Sequence, residues 1–369
     1  MKRIFLVLGV FLLAACHEQV RPASEKGMER IGISSDGQGF VLLPSGRAFH
    51  PWGNNYGNHG RLIEDYWATE WPTVERDFKE MKRMGANVVR VHLQFGKFMR
   101  SPTEPNRESL DRLRRLVRLA EQTGLYLDLT GVACYRRSDV PPWYDSLPEK
   151  ERWQAQQRFW GEVAAQCANS PAIFFYDLIN EPVIATEKQK AGQWYTGDFG
   201  GLNWLQYLDL DPAGRDYDTI AGQWIDAMKR AIREQDRTHF ISAGWLPFDP
   251  GRRILNHFDF VCVHIYPEKG KVNEALATLR QFNIGKPVVI EETFPLTCSQ
   301  DELRSFLLES RPYATGWIGH YNGEPRSQLE ALKNSGKITD GQKSWLAWEE
   351  LFRELGPVMA PADPGSRPN

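Results

Sequence analysis

The sequence predicts an α/β fold, a (β/α)8 barrel of the TIM type, and three observations predict it. Eight strand-like apolar runs alternate with helix-length segments along 369 residues, and because parallel strands need right-handed crossovers, that alternation closes most economically into a barrel. Several of these runs stop at polar residues, among them Asn180-Glu181, His264 and Glu291-Glu292, as expected where the C-terminal strand ends build one functional face. The chain also lacks the Gly-rich first turn that would favour the alternative, a doubly wound open sheet holding a nucleotide. With 41% hydrophobic and 25% charged residues the composition is that of an ordinary globular protein. A net charge of −2 argues against a nucleic-acid partner.

At the N-terminus, Lys2 and Arg3 precede an apolar run that ends Leu13-Ala14-Ala15-Cys16. Residues 1–15 read as an export signal, too short to span a membrane. The final tetrapeptide resembles the bacterial lipoprotein cleavage box, which implies lipidation of Cys16 and an exported protein anchored to a bacterial membrane. A plain secreted protein with an incidental Cys16 is the alternative. Residues 16–30 are polar and aperiodic, a tether, and the folded (β/α)8 domain is expected over 31–355, followed by a flexible tail over 356–369. The other four cysteines, Cys134, Cys167, Cys262 and Cys298, show no metal-ligand spacing and support no pairing.

Inside the domain, 40–43 and 48–55 read as a hairpin leading into the first strand. Trp71, Val74, Phe78, Met81 and Met84 recur at helical spacing between Pro72 and Gly85. The second strand, 87–93, carries Arg90 within an apolar run, so this side chain must reach solvent or meet a carboxylate. A helix over 110–120, a strand over 126–130 and a helix over 149–168 lead to the fourth strand, Ile173 to Asn180, which Pro182 terminates. A long connection, 183–216, then carries Trp194, Tyr195, Phe199, Trp204 and Tyr207; connections this long are usually functional. Alternation resumes with a helix at 220–232, strands at 240–243 and 258–266, and a helix at 272–282. A strand at 286–293, a helix at 303–307, a strand at 315–320 and a helix at 345–355 complete the eight.

The chain has 13 Trp. Each indole N–H needs a partner, so this many point to a groove lined with flat aromatic faces, Trp194 and Trp204 being best placed, with core packing as the alternative for each.

A barrel would gather the strand ends into one constellation: Asn54 and Asn55, Arg90 and His92, Asn180 and Glu181, His264 and Tyr266, Glu291 and Glu292, Trp317 and His320. Two carboxylates facing each other from strands four and seven suit cleavage of a glycosidic bond, which needs one group protonated and the other ionised. Their surroundings must split their pKa values. Arg90 and Tyr266 would hold Glu292 ionised, while Glu181, beside the neutral amide of Asn180, would keep its proton. No cofactor is required, and no set of residues has the spacing of a dedicated metal site.

The segments Gly85-Ala86-Asn87-Val88-Val89-Arg90, Asn180-Glu181-Pro182, His264-Ile265-Tyr266 and Lys286-Pro287-Val288-Val289-Ile290-Glu291-Glu292 stand in the order found in glycoside hydrolase family 5, the cellulase and mannanase family, which the chain resembles from about Phe40 to Leu355. The resemblance implies a retaining hydrolase of β-linked glycans of the β-1,4-mannan or β-1,4-glucan type. It further implies Glu181 as acid/base, Asn180 as a contact to the sugar 2-hydroxyl, a strand-seven nucleophile, Tyr266 as that nucleophile's hydrogen-bond partner and Arg90 as its support. Glu292 is preferred as nucleophile, with Glu291 as the register alternative. Asn55, His264, Trp317, His320, Trp194 and Trp204 are expected to bind substrate or support the site. The chain departs from the family in three places: Thr293-Phe294-Pro295 follows Glu292, no His follows strand three, and His320 stands near where a Trp is usual. A carbohydrate-binding surface lipoprotein without catalysis, and a transglycosylase on the same scaffold, are the alternative functions.

Overall fold

Eight parallel strands close into the expected barrel: β1 (Trp52–Tyr56), β2 (Val88–Gln94), β3 (Tyr126–Ala133), β4 (Ile173–Asn180), β5 (Phe240–Trp245), β6 (Val261–His264), β7 (Val288–Glu292) and β8 (Gly316–Tyr321). This is a computed structural model, and it describes residues 27–247 and 252–361. The expected export signal, Cys16 and most of the tether lie outside them. Crossovers run through α1 (Trp71–Arg83), α2 (Arg107–Thr123), α3 (Glu149–Cys167), α4 (Tyr217–Arg233), the single turn α5 (Arg252–Leu255), α6 (Val272–Arg280) and α7 (Gln300–Ser310), and α8 (Asp340–Met359) follows the last strand. Among the described residues no helix is long and apolar enough to cross a membrane.

Two rules of strand geometry set which side chains reach the barrel interior. Alternation sends every second residue of β8 inward, so Ile318 and His320 face the lumen while Trp317 faces the helices. Register then aligns neighbours: Asn55 pairs with Arg90, Arg90 with Asp128, Thr130 with Asp177 and His320 with Asn55. Where the register shifts, alternation is broken. An irregularity between β6 and β7 brings Glu292 opposite His264, so two successive glutamates, Glu291 and Glu292, both turn inward. A second one, between β4 and β5, sets Asn180 opposite Gly244.

The N-terminal end of the barrel is plugged. Strands Arg30–Ile33, Phe40–Leu43 and Ala48–Phe49 form a small antiparallel sheet, and Phe40 packs edge-on against Phe174 and Phe260 at 5.1 and 5.2 Å. Ordered contacts begin before the expected boundary at 31, since Glu29 pairs with Arg47 at 2.8 Å. At the other end α8 runs past the expected boundary at 355, through Pro357 to Met359, whose side chain is buried.

The connection after β4 is not irregular. Tyr195–Phe199 and Leu202–Tyr207 form a hairpin whose second strand also pairs in parallel with Pro182–Val183. Gly200 and Gly201 make its turn with φ of 64° and 78°, a conformation that costs glycine nothing. This hairpin lies over the mouth beside β3 and β4: the Asn203 N–H donates to the Tyr135 carbonyl at 2.8 Å, and Gln206 Nε2 donates to the Val132 carbonyl at 2.8 Å.

Candidate active site

Arg90 is the centre of the site. Its side chain is fully buried, a position an unpaired charge could not hold, and both of its terminal nitrogens donate to acceptors. Nη1 donates to Glu292 Oε1 and to Asn55 Oδ1 at 2.9 Å. Nη2 donates to Asp177 Oδ2 at 2.7 Å and Asn180 Oδ1 at 3.0 Å, and Nε lies 3.5 Å from Glu291 and 3.6 Å from Asp128.

Glu292 is gripped from both sides, since the Tyr266 hydroxyl donates to its Oε2 at 2.6 Å. Burial disfavours its ionisation, but the charges of His264 and Arg90 and the Tyr266 O–H hold its carboxyl well below the usual carboxylate range. His320 Nε2 lies 3.0 Å from the Tyr266 hydroxyl, and burial pushes its pKa down to about 4. It is therefore neutral near pH 7 and accepts or donates a hydrogen bond without adding charge.

Glu181 approaches from the opposite strand. Its φ of 45° lies in the left-handed region, rare for a residue with a side chain, and its N–H is pinned to the Gly244 carbonyl at 3.0 Å. This turn at the end of β4 aims the carboxylate across the mouth, where Oε1 sits 2.8 Å from His264 Nδ1. Oxygens of Glu181 and Glu292 lie within 4.8 Å of each other.

Below the mouth is a second acidic layer. Asp177 Oδ2 also accepts from Thr130 at 2.6 Å and Oδ1 from the Gly244 N–H at 3.1 Å, and burial together with Glu291 pushes Asp177 up to about 6. Burial and Glu291 likewise push Asp128 well above the usual carboxylate range. Donor atoms of Glu181, His264 and Glu292, and those of Asp128, Asp177 and Glu291, are close enough to hold an ion. Arg90 touches members of both groups and supplies one fixed positive charge beside each.

The sequence matches the cellulase (glycosyl hydrolase family 5) profile over residues 45–245, more than half of the 369-residue chain. The chain belongs to glycosyl hydrolase family 5. No curated protein matches it. Among solved structures it is similar to an exo-β-1,4-mannosidase from an Opitutaceae bacterium, at 15% identity and a TM-score of 0.63, over 88% of this chain and 63% of that one. The chain thus spans less than two thirds of that protein's length. It is also similar to a β-1,4-mannanase from the sea hare Aplysia kurodai, at 15% identity, TM-score 0.59, over 88% and 96% of the two chains. A β-glucanase from Saccharophagus degradans aligns at 13% identity and a TM-score of 0.58, over 91% and 94%. At these identities the likeness is one of fold.

In this family 5 barrel, Asn55, Arg90, Asn180, Glu181, His264, Tyr266, Glu292 and His320 come together at the mouth. Asn55 does so as scaffolding: its Nδ2 donates to the carbonyls of Glu291 and Gly319 at 3.1 and 3.0 Å, and its Oδ1 accepts from Arg90. Glu291, the register alternative, is fully buried below Glu292. Trp204 lies at the rim, its ring 4.6 Å from Tyr135 and its carbonyl accepting from Asn180 Nδ2 at 3.1 Å.

Two expected contacts are corrected. Trp317 faces away from the mouth, 3% exposed, with its indole N–H on Ser310 Oγ at 2.8 Å; strand alternation that brings His320 inward turns Trp317 outward. Trp194 is likewise buried beneath the hairpin, its N–H on the Asp145 carbonyl and the Arg152 guanidinium 4.2 Å from its ring. Asn54 also misses the mouth, because Asn55 is the inward residue of β1. Sequence reasoning missed Tyr135, whose hydroxyl lies 2.6 Å from His92 Nδ1 while His92 Nε2 meets Asn55 at 3.1 Å. It stands after strand three, where the family's His is absent.

Proposed function

We propose that the protein is a retaining hydrolase of β-linked glycans of the β-1,4-mannan or β-1,4-glucan type, with Glu292 as nucleophile and Glu181 as acid/base. The observation that carries this reading is that the two carboxylates face each other across the mouth, with one oxygen of each within 4.8 Å of the other. Carboxyl groups roughly 5–5.5 Å apart suit direct attack on the sugar carbon, whereas about 6.5–9.5 Å leaves room for a water between base and substrate. Glu292 is ionised, oriented at both oxygens and open to the mouth, as a nucleophile must be. Glu181 is placed to protonate the leaving oxygen and then to deprotonate the water that releases the glycosyl-enzyme. Arg90 remains charged at every working pH and keeps Glu292 ionised without competing for the proton.

The mannosidase and mannanase likenesses make β-mannans the first substrates to try. Assays of the wild type, Glu181→Gln and Glu292→Gln on a panel of β-glycans test the reading. The expected result is turnover by the wild type and a loss on the order of 10³-fold or more in each variant. Full turnover by either variant removes that residue from its role, and an inactive wild type overturns the hydrolase itself.

The tetrapeptide ending at Cys16 supports an export route that leaves the enzyme lipid-anchored to a bacterial membrane, where two acyl signals would hold it stably. Cys16→Ser is expected to move the protein from the membrane to the soluble fraction; unchanged fractionation contradicts the anchor.

A further inference from the structure

His320 is the inward residue near the end of β8, and its imidazole is held from three directions. The ring stacks on Tyr266 at 26° with centroids 6.2 Å apart, Phe294 meets it edge-on at 5.6 Å, and the Trp348 indole N–H donates to its backbone carbonyl at 2.8 Å. Of its two nitrogens, Nε2 lies 3.0 Å from the Tyr266 hydroxyl. Nδ1 has no hydrogen-bond partner among the described residues and, unlike the orphaned oxygens of Asp128 beneath, it is reachable from solvent. The side chain is partly exposed at the mouth, so Nδ1 is open to whatever fills it.

The chain of hydrogen bonds decides which nitrogen carries the ring proton. Tyr266 has one hydroxyl hydrogen, and the 2.6 Å bond to Glu292 Oε2 uses it, because the carboxylate, gripped by Arg90 on its other oxygen, is an acceptor only. The Tyr266 oxygen must therefore accept from His320, and Nε2 bears the hydrogen. A neutral imidazole has a single N–H, which leaves a bare lone pair on Nδ1. Burial pushes the His320 pKa down to about 4, so the neutral ring is the form present near pH 7.

Resting on the hydrolase reading, we propose that His320 Nδ1 is a substrate-binding acceptor: it receives the O–H of one hydroxyl on the sugar that Glu292 attacks, and so selects for sugars that carry that hydroxyl. Only the Tyr266 hydroxyl separates Nε2 from the nucleophile, which puts the ring beside the sugar bound over Glu292, on the Oε2 side. Ring, tautomer and backbone are fixed before substrate arrives, so little freedom is lost when the bond forms. An analogue without the hydroxyl leaves the acceptor unpaired, and that is the source of the discrimination. The two nitrogens divide the work. Nε2 orients Tyr266, and Nδ1 reads the sugar.

Two substitutions pull these roles apart. His320→Gln reaches the Nε2 position with an amide N–H, keeping a donor for Tyr266 and no acceptor at Nδ1; His320→Asn places an amide oxygen near Nδ1 and gives up Tyr266. The probes are 4-nitrophenyl β-glycosides of mannose, glucose and their β-1,4-linked disaccharides and trisaccharides. On the shortest that the wild type turns over, the hydroxyls of the sugar bearing the nitrophenyl group are removed one at a time. An acceptor at Nδ1 predicts one hydroxyl whose removal lowers kcat/KM by about tenfold or more in the wild type, by about twofold at most in His320→Gln, and nearly as much as in the wild type in His320→Asn. Equal losses on every analogue in the wild type and His320→Gln overturn the acceptor and leave the hydrolase standing. If neither variant folds, the wild type decides alone: a loss below about twofold on every analogue overturns the acceptor, as does a His320 proton found on Nδ1 by ring ¹⁵N spectra. A wild type that turns over no β-glycan overturns the hydrolase reading and the acceptor together.

Discussion

The Tyr266 hydroxyl and Glu292 Oε2 are joined by a 2.6 Å hydrogen bond at the mouth of the barrel, which leaves Arg90 to hold the other oxygen. A hydroxyl donating to a carboxylate contributes more than a neutral pair. Tyr266→Phe keeps the ring and removes that donor, so kcat should fall about 10- to 100-fold, the equivalent of about 1.5–3 kcal/mol. Because Arg90 stays in place, the acid limb of the pH profile should move up only modestly. Steady-state kinetics across the acid range check both numbers.

Gly244 is required by what lies above it, not by its backbone. Adding a Cβ would bring it within 2.2 Å of Glu291 Oε2 and 2.3 Å of His264 Nε2, so both side chains would have to shift. Gly244→Ala should cost about 1–3 kcal/mol of stability and lower kcat at least tenfold. Thermal melts alongside kinetics separate the two effects.

The fold was legible because periodicity survives in a barrel. Apolar runs such as Val88 to Leu93 and Ile173 to Ile179 stand out, and the helices between them keep their spacing. Arg90, Glu181 and Tyr266 were legible for a related reason: a charge or a carboxylate at the end of an apolar run has few explanations. Two features were not legible, and both depend on register. Whether Trp317 or His320 faces the lumen is a matter of one residue, and only the pairing of His320 with Asn55 settles it. Glu291 and Glu292 both point inward only because β7 slips against β6 at His264, an irregularity with no sequence signature. The hairpin over the mouth was hidden by its Gly-rich turn, and Tyr135 by the distance in sequence between it and His92.

The two tryptophans offer a clean contrast. Trp204→Ala, at the rim, should raise KM severalfold while stability changes little. Trp317→Ala, buried against α7, should lose about 3–5 kcal/mol of stability and leave KM and the pH profile of the folded enzyme unchanged. Substrate titrations and denaturant melts distinguish them.

Glu349 lies buried on α8 with Oε2 unpartnered. Burial, with Glu80 nearby, pushes its pKa from 4.5 to about 8. A carboxyl raised on folding is protonated in the native state and ionised in the unfolded state between those values, so stability falls as pH rises through that window. Glu349→Gln mimics the neutral acid. Its Tm should match the wild type near pH 4 and exceed it by roughly 2 °C or more at pH 9; melts at the two pH values decide it.

The central claim is a covalent intermediate on Glu292. A 2-deoxy-2-fluoro-β-glycoside with a good leaving group, of the sugar that the wild type turns over, should accumulate that intermediate. Peptide mass spectrometry of the inactivated enzyme is predicted to find the fluorosugar on Glu292. Attachment at Glu291 or Glu181, or an inverted product with no adduct at all, would contradict the account.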